Sequence, residues 1–155
     1  MAQELNVEDL KVHSDAFGGH KRIPDKHTTE GEDVSPQISW SGAPEGTKAF
    51  AIVCHDPDAP LVEGFTHWVG YGIPGDVSSL AEGEDPPKLG VHTMGEQAYM
   101  GPAPPPGHGP HHYYFWVYAL DEDLDLEPGL DRRALLEAIE DHVIEQNRLI
   151  GTYDR

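Results

Sequence analysis

Positive charge is scarce in this chain. Ten Lys and Arg residues stand against 28 Asp and Glu, for a formal net charge of −18 over 155 residues. A nucleic-acid binder needs a basic stripe that displaces counterions from phosphates, and a protein that docks on anionic lipid needs a similar patch. This surface would repel both at low salt. Cysteine is nearly absent as well: Cys54 alone cannot form an intrachain disulfide, and one free thiol suits a reducing cytoplasm. Long apolar runs are missing. "AFAIVC" and "YYFWVYAL" fall far short of the roughly 20 residues that span a bilayer. The opening "MAQELNVEDL" carries acids where a signal peptide needs a basic start and an apolar stretch, so no targeting segment and a cytoplasmic location are expected.

What is present is turn chemistry. Seventeen Gly and 14 Pro, with 37% hydrophobic residues, point to a turn-rich, mainly β chain rather than a helical bundle. The length suits a single domain over residues 1–155, and no repeat or flexible linker interrupts it. The acids are spread along the chain, which reads as a solvated coat keeping the protein soluble under screening salt and points to a salt-accumulating halophile.

Residues 1–35 read as one or two short strands with loops, and "PQISW" as another short strand after them. "KAFAIVCHD" is apolar on both faces and predicts a central strand. "THWVGYGI" resumes the sheet, residues 74–90 read as a loop region with room for one helical turn, and "YYFWVYAL" is the clearest strand. In "LDRRALLEAIEDHVIEQNRLIG", Leu135, Ile139, Val143 and Ile144 approach helical spacing, with Asp131 as N-cap and Gly151 as C-cap. The expected architecture is an antiparallel β sandwich with one amphipathic helix packed on it.

Polar residues cluster where strands end. Asp56 and Asp58 in "CHDPDAP" are two apart and predicted to face the same way; His67, Val69 and Tyr71 are predicted to share a face, as are His111 and Tyr113, with His112 on the other side. Buried polar groups need partners, so the economical expectation is that these groups meet. Two carboxylates would orient and charge two imidazoles, His67 and His111, and Tyr113 would add a hydroxyl. Such convergent donors suit a phosphate or a similar oxyanion. The Gly- and Pro-rich stretch of residues 101–110 would form a stiff wall, glycine admitting the ligand close to backbone. His55 and His108 are expected outside the immediate site, with His108 at its mouth; His13, His20 and His27 are expected on the surface.

These motifs, "CHDPDAP", "THWVGYGIP" and "GPAPPPGHGPHHY", with "GEDVSPQISWSGAPEGTKAFAIV" upstream and "GTYDR" at the end, resemble the phosphatidylethanolamine-binding protein family in its small bacterial and archaeal, Raf kinase inhibitor-like branch. The resemblance covers nearly the whole chain. It implies two antiparallel sheets with a C-terminal helix and a small cavity for phosphate or phosphorylated headgroups. Its pocket residues fall on Asp56, Asp58, His67, Ala103, Pro104, Pro105, His111 and Tyr113. It implies a non-enzymatic binding protein without a cofactor, one that takes a phosphate-bearing small molecule or a phosphorylated protein, with kinase or protease inhibition and a homodimer among the family's habits. Two departures stand out. His112 replaces the family's usual Arg, predicting loss of an outer salt bridge. Gly72 replaces the usual Asn, predicting loss of a side chain that braces a turn near the site.

Two other chemistries compete. "HGPHH" with the two aspartates contains enough ligands for a divalent metal, although the prolines make chelation by that stretch awkward. Cys54 beside His55 suggests a hydrolase nucleophile, but strand neighbours point to opposite faces and cannot pair.

Overall fold

In the computed structural model, which describes residues 9–155, apolar runs become strands in the order the sequence places them. They are β1 (Lys11–His13), β2 (Ile38–Ser41), β3 (Ala49–Asp56), β4 (Phe65–Pro74), β5 (Ser79–Leu80), β6 (Lys88–Leu89) and β7 (His111–Leu120), followed by α1 (Arg132–Ile139) and β8 (Val143–Tyr153). These strands pair with one another antiparallel, in a smaller sheet of order β1-β2-β5 and a larger one of order β6-β4-β3-β7-β8. Residues 1–8, most of "MAQELNVEDL", lie outside the described residues.

β3 is buried along its whole length because both faces of the larger sheet are covered. Its inner residues Phe50, Ile52 and Cys54 meet Ile38, Trp40 and Leu80 of the smaller sheet. Its outer residues Ala49, Ala51 and Val53 pack with Leu135 and Ile139 of α1. That double cover is why the segment reads as continuously apolar. Each large side chain so buried contributes about 1.5–3 kcal/mol.

The helix is present but short, and it is not the last element. Asp131 is its N-cap, accepting from the Ala134 amide at 2.8 Å. The helix itself stops at Ile139, and the expected second half of it is β8, paired with β7 from Val143 to Tyr153. Gly151 is therefore no helix cap. It lies opposite Tyr113, where an added Cβ would stand 2.6 Å from Ile23 Cγ1 and 2.8 Å from Phe17 Cε2. The loop region of residues 74–90 also differs, forming the two-residue strands β5 and β6 instead of a helical turn.

β4 carries two bulges, each with an extra residue on one side of the ladder. Near its end, Ile73 pairs with Phe50 while Gly70 pairs with Ile52. Gly72, at φ +70°, supplies the left-handed residue within that bulge. It lies roughly 16 Å along the strand from His67, at about 3.3 Å per residue, so the expectation that this position braces the site is corrected. Near its start, Cys54 pairs with Trp68 but His55 pairs with Thr66, leaving His67 as the extra residue. The expected shared face of His67, Val69 and Tyr71 is thereby overturned. Val69 and Tyr71 belong to the outer core with α1, whereas the His67 ring meets Tyr113 of the inner face, centroids 5.2 Å apart.

Candidate functional site

At the end of β3 the chain turns through Pro57, and the Asp58 amide donates to Asp56 Oδ1 at 2.7 Å. That turn fixes the Asp56 carboxylate, whose other oxygen accepts from His111 Nδ1 at 2.7 Å. Both side chains are almost fully buried. Burial raises the Asp56 pKa, while hydrogen bonds from His111 and the Asp58 amide oppose the rise. The second aspartate goes elsewhere. Asp58 Oδ2 accepts from the His112 amide at 2.8 Å and pairs with the His112 ring at 2.7 Å, on a half-exposed surface. Burial pushes the Asp58 carboxyl up, but the His112 contacts bring it below its ordinary value overall. The expectation that both aspartates orient the pocket imidazoles is corrected, and so is the expected loss of an outer ion pair at His112.

His67, lifted to the inner face by its bulge, donates from Nδ1 to the Met100 carbonyl at 2.6 Å. Its pKa is pushed down to about 4, chiefly by burial. The ring is therefore neutral near pH 7, with its hydrogen on Nδ1 and a lone pair on Nε2. This corrects the picture of two charged imidazoles: His67 as built accepts. His111 engages Asp56 through Nδ1 and the exposed His108 through Nε2, at 2.8 Å. The Tyr113 hydroxyl makes no hydrogen bond among the described residues. Burial, and then the Asp56 charge, hold its pKa well above the usual phenol value.

The Gly- and Pro-rich stretch closes the opposite side. Gly101 donates its amide to Asp33 Oδ1 at 2.7 Å, and its α-carbon lies so close to His27 that a Cβ there would stand 2.2 Å from the His27 carbonyl oxygen. The Pro102 carbonyl accepts from the Thr29 amide at 3.2 Å and the Pro104 carbonyl from Arg155 Nε at 2.6 Å. The Gly107 amide donates back to the Arg155 carbonyl at 2.9 Å. Proline brings no N–H that would need a partner, so the proline positions of this wall are fastened through carbonyls, with the amides of Gly101 and Gly107 adding the remaining ties. Between wall and sheet lies a cavity of about 290 Å³, lined by Asp56, His67, Ala103, Pro104, Pro105, His111 and Tyr113, with Phe65, Met100 and the rim of Ala59, Pro60 and Leu61. Of the residues the sequence singled out, Asp58 is the one left outside.

Comparison with known proteins bears on this arrangement. Residues 13–154 match the phosphatidylethanolamine-binding protein family. The chain belongs to that family. It is 44% identical to a UPF0098 protein of Methanothermobacter thermautotrophicus, over 95% of this chain and 99% of that one. A UPF0098 protein of Pyrococcus horikoshii is 43% identical over 94% of this chain and 77% of its own. Among solved structures, YbcL of E. coli, described as a member of the mammalian family, superposes with a TM-score of 0.89 at 28% identity, covering 95% of this chain and 99% of its own. A homologue from Chlamydia trachomatis gives 0.88 at 36%, covering 94% and 97%.

Several residues of this family member's cavity escaped the sequence reading. Phe65 packs at a tilt against His67 with centroids 4.6 Å apart, Met100 serves through its backbone carbonyl, and Arg155 anchors the wall. A carbonyl contact leaves no trace in residue identity. Phe65, two before His67, falls just ahead of the expected strand "THWVGYGI" and so is not read with it, although the observed strand starts there. His27, expected on the surface, is buried, with Nδ1 donating to the Val34 carbonyl at 2.9 Å.

The rival chemistries can be placed on the same map. Cys54 lies in the inner core, where burial pushes its thiol pKa up, and His55 points to the outer face toward Thr66 Oγ1 at 3.0 Å. Among the described residues, no three of His, Cys, Asp and Glu stand where they could hold one metal ion, and no helix is long and apolar enough to cross a membrane.

Proposed function

We propose that this family member is a single-domain, non-enzymatic, cytoplasmic binding protein for a phosphate-bearing small molecule, the phosphate seated in the cavity between β4, β7 and the proline-rich wall. One observation carries the reading: the His67 Nε2 lone pair, the unengaged Tyr113 hydroxyl and the Asp56-anchored His111 all line one cavity of about 290 Å³ with otherwise apolar walls. A phosphate monoester with one proton matches that set. Its P–OH donates to His67, and its oxygens accept from Tyr113 and, once His108 is displaced, from Nε2 of His111, which as an imidazolium paired with the Asp56 carboxylate carries a hydrogen on both ring nitrogens. The acidic coat keeps the protein dispersed in concentrated salt and discourages contact with anionic bilayers, so a soluble ligand is favoured over a membrane-bound one. The separation of Cys54 from His55 across the sheet favours binding over nucleophilic turnover.

Binding takes one proton into the complex, so affinity falls with rising pH above the second phosphate pKa of about 6. Calorimetric titration with phosphoethanolamine in concentrated KCl should show roughly 50-fold weaker binding at pH 8 than at pH 6, following that ionisation. Equal affinity at the two pH values, or none at either, rejects the reading. Binding that appears only with added divalent metal would favour the metal alternative.

A further inference from the structure

The bulge that turns His67 inward leaves Thr66 facing outward, and Thr66 lines a second cavity of about 350 Å³ on the other face of the larger sheet. This cavity shares no lining residue with the first. Its walls are Thr66, the turn around His92 and Thr93, and the first residues of α1.

Hydrogen-bond donors here lack acceptors. His92 is 5% exposed, and its Nδ1 accepts from the Met94 amide at 3.1 Å. A nitrogen that accepts carries no hydrogen, so in the neutral ring the hydrogen sits on Nε2, which has no partner among the described residues. Arg132 opens α1, and its Nε is buried without a hydrogen-bond partner. No carboxylate of the described residues pairs with its guanidinium, although its neighbour Arg133 pairs with Glu63. In the helix's first turn, Asp131 takes the amides of Ala134 and Leu135, which leaves those of Arg132 and Arg133 without an intrahelical acceptor. Thr93 Oγ1 already accepts from the Thr66 amide at 2.8 Å, so its own hydrogen is free to be given.

A buried donor with no acceptor is costly; Arg132 Nε is one, and with the unpartnered Nε2 of the buried His92 and the first amides of α1 around the same cavity it calls for an anion. The charges of the lining select which one. Arg132 and Arg133 are balanced by Glu63 and Asp131, so the positive helix end supplies the remaining excess, which suits a single negative charge better than two. A guanidinium fork beside two adjacent backbone amides matches a planar pair of oxygens.

We propose that this cavity is a second binding site, specific for a small monocarboxylate held by Arg132, His92 and the first amides of α1. It is independent of the phosphate reading, because the two cavities lie on opposite sheet faces.

The test is an NMR titration of the ¹⁵N-labelled protein with butyrate, acetate and inorganic phosphate in separate arms at constant ionic strength. Butyrate should shift the Arg132 Nε–Hε signal and the amides of Thr93, Arg132 and Arg133 along one saturating curve, with acetate weaker and phosphate weaker still. Arg132→Gln should weaken butyrate by roughly 10-fold or more, the loss of a charge-assisted hydrogen bond. His92→Asn, whose Oδ1 can still accept from Met94, removes only the Nε2 donor and should weaken it about 5-fold. His111→Ala should leave the butyrate curve unchanged, which separates this site from the phosphate cavity. Shifts that never saturate, tighter binding of phosphate than of butyrate, or a curve unaltered in both Arg132→Gln and His92→Asn would overturn the proposal.

Discussion

His108 Nδ1 stands 2.8 Å from His111 Nε2, so the imidazole that Asp56 grips from one side is gripped from the other by a second imidazole. Asp56, His111 and His108 thus form a chain from the buried end of β3 to the surface. A phosphate that uses His111 Nε2 must displace His108. Replacing His108 with Ala removes that competitor, and at about 1 kcal/mol for one hydrogen bond the phosphoethanolamine affinity should rise about 5-fold. Calorimetry checks this, and unchanged or weaker binding would show that ligand and His108 do not compete.

His111 and His112 are sequence neighbours with unequal roles. His111→Ala leaves the buried Asp56 carboxylate with the Asp58 amide but without its imidazole partner, and breaking a buried pair in this way costs on the order of 3 kcal/mol. His112→Ala removes a half-exposed pair with Asp58, for which about 0–1 kcal/mol is expected. Urea denaturation of both variants measures the difference. His111→Ala should also abolish phosphoethanolamine binding, while His112→Ala should retain it. The opposite ranking would mean that the β7 register is wrong.

His67 makes stability depend on pH. Its pKa falls from 6.5 to about 4 on folding, so between those values the unfolded chain binds more protons than the folded one. Stability is full above about pH 6.5 and declines as the pH drops toward 4. At about 1.4 kcal/mol per tenfold change in proton affinity, the loss from this group is on the order of 3 kcal/mol. His55, also pushed down to about 4 by burial, acts in the same direction. Asp56, raised by burial, opposes them toward the acid end. Urea midpoints at fixed KCl should fall between pH 7 and pH 5 in the native chain, and the fall should be smaller in His67→Gln.

Arg155 ties down the wall rather than the core. Arg155→Ala removes the bond to the Pro104 carbonyl and the pairing with Glu30. Amide exchange at Gly107 should quicken at least 5-fold and phosphoethanolamine should bind several-fold more weakly, while the urea midpoint stays nearly constant. A large drop in midpoint would instead assign Arg155 to global stability.

The parts of this fold that were legible in the sequence are those governed by a local rule. β3 and β7 announce themselves as apolar runs, Asp131 as a cap, and His111 with Tyr113 as an alternating pair. β8 was hidden because Leu135, Ile139 and Val143 keep helical spacing across the true boundary. In addition, its inward positions hold Glu145, Asn147 and Gly151 among the apolar Leu149 and Tyr153. The bulge at His67 was illegible because it is a property of how β4 pairs with β3, and no residue type marks it. The parting of Asp56 from Asp58 has a similar origin. The Asp58 amide closes the turn on Asp56, and its carboxylate is left to meet His112 outside.

Five prolines between residues 101 and 110 give the wall a one-sided chemistry. Proline cannot donate, so nearly all of the polar discrimination rests with groups rooted in the sheet, while the loop governs volume and outline. On the proposed function, changes in loop length or side-chain bulk reshape which molecular body fits without rewriting how its phosphate is read. Selectivity for size and selectivity for charge are separable by construction.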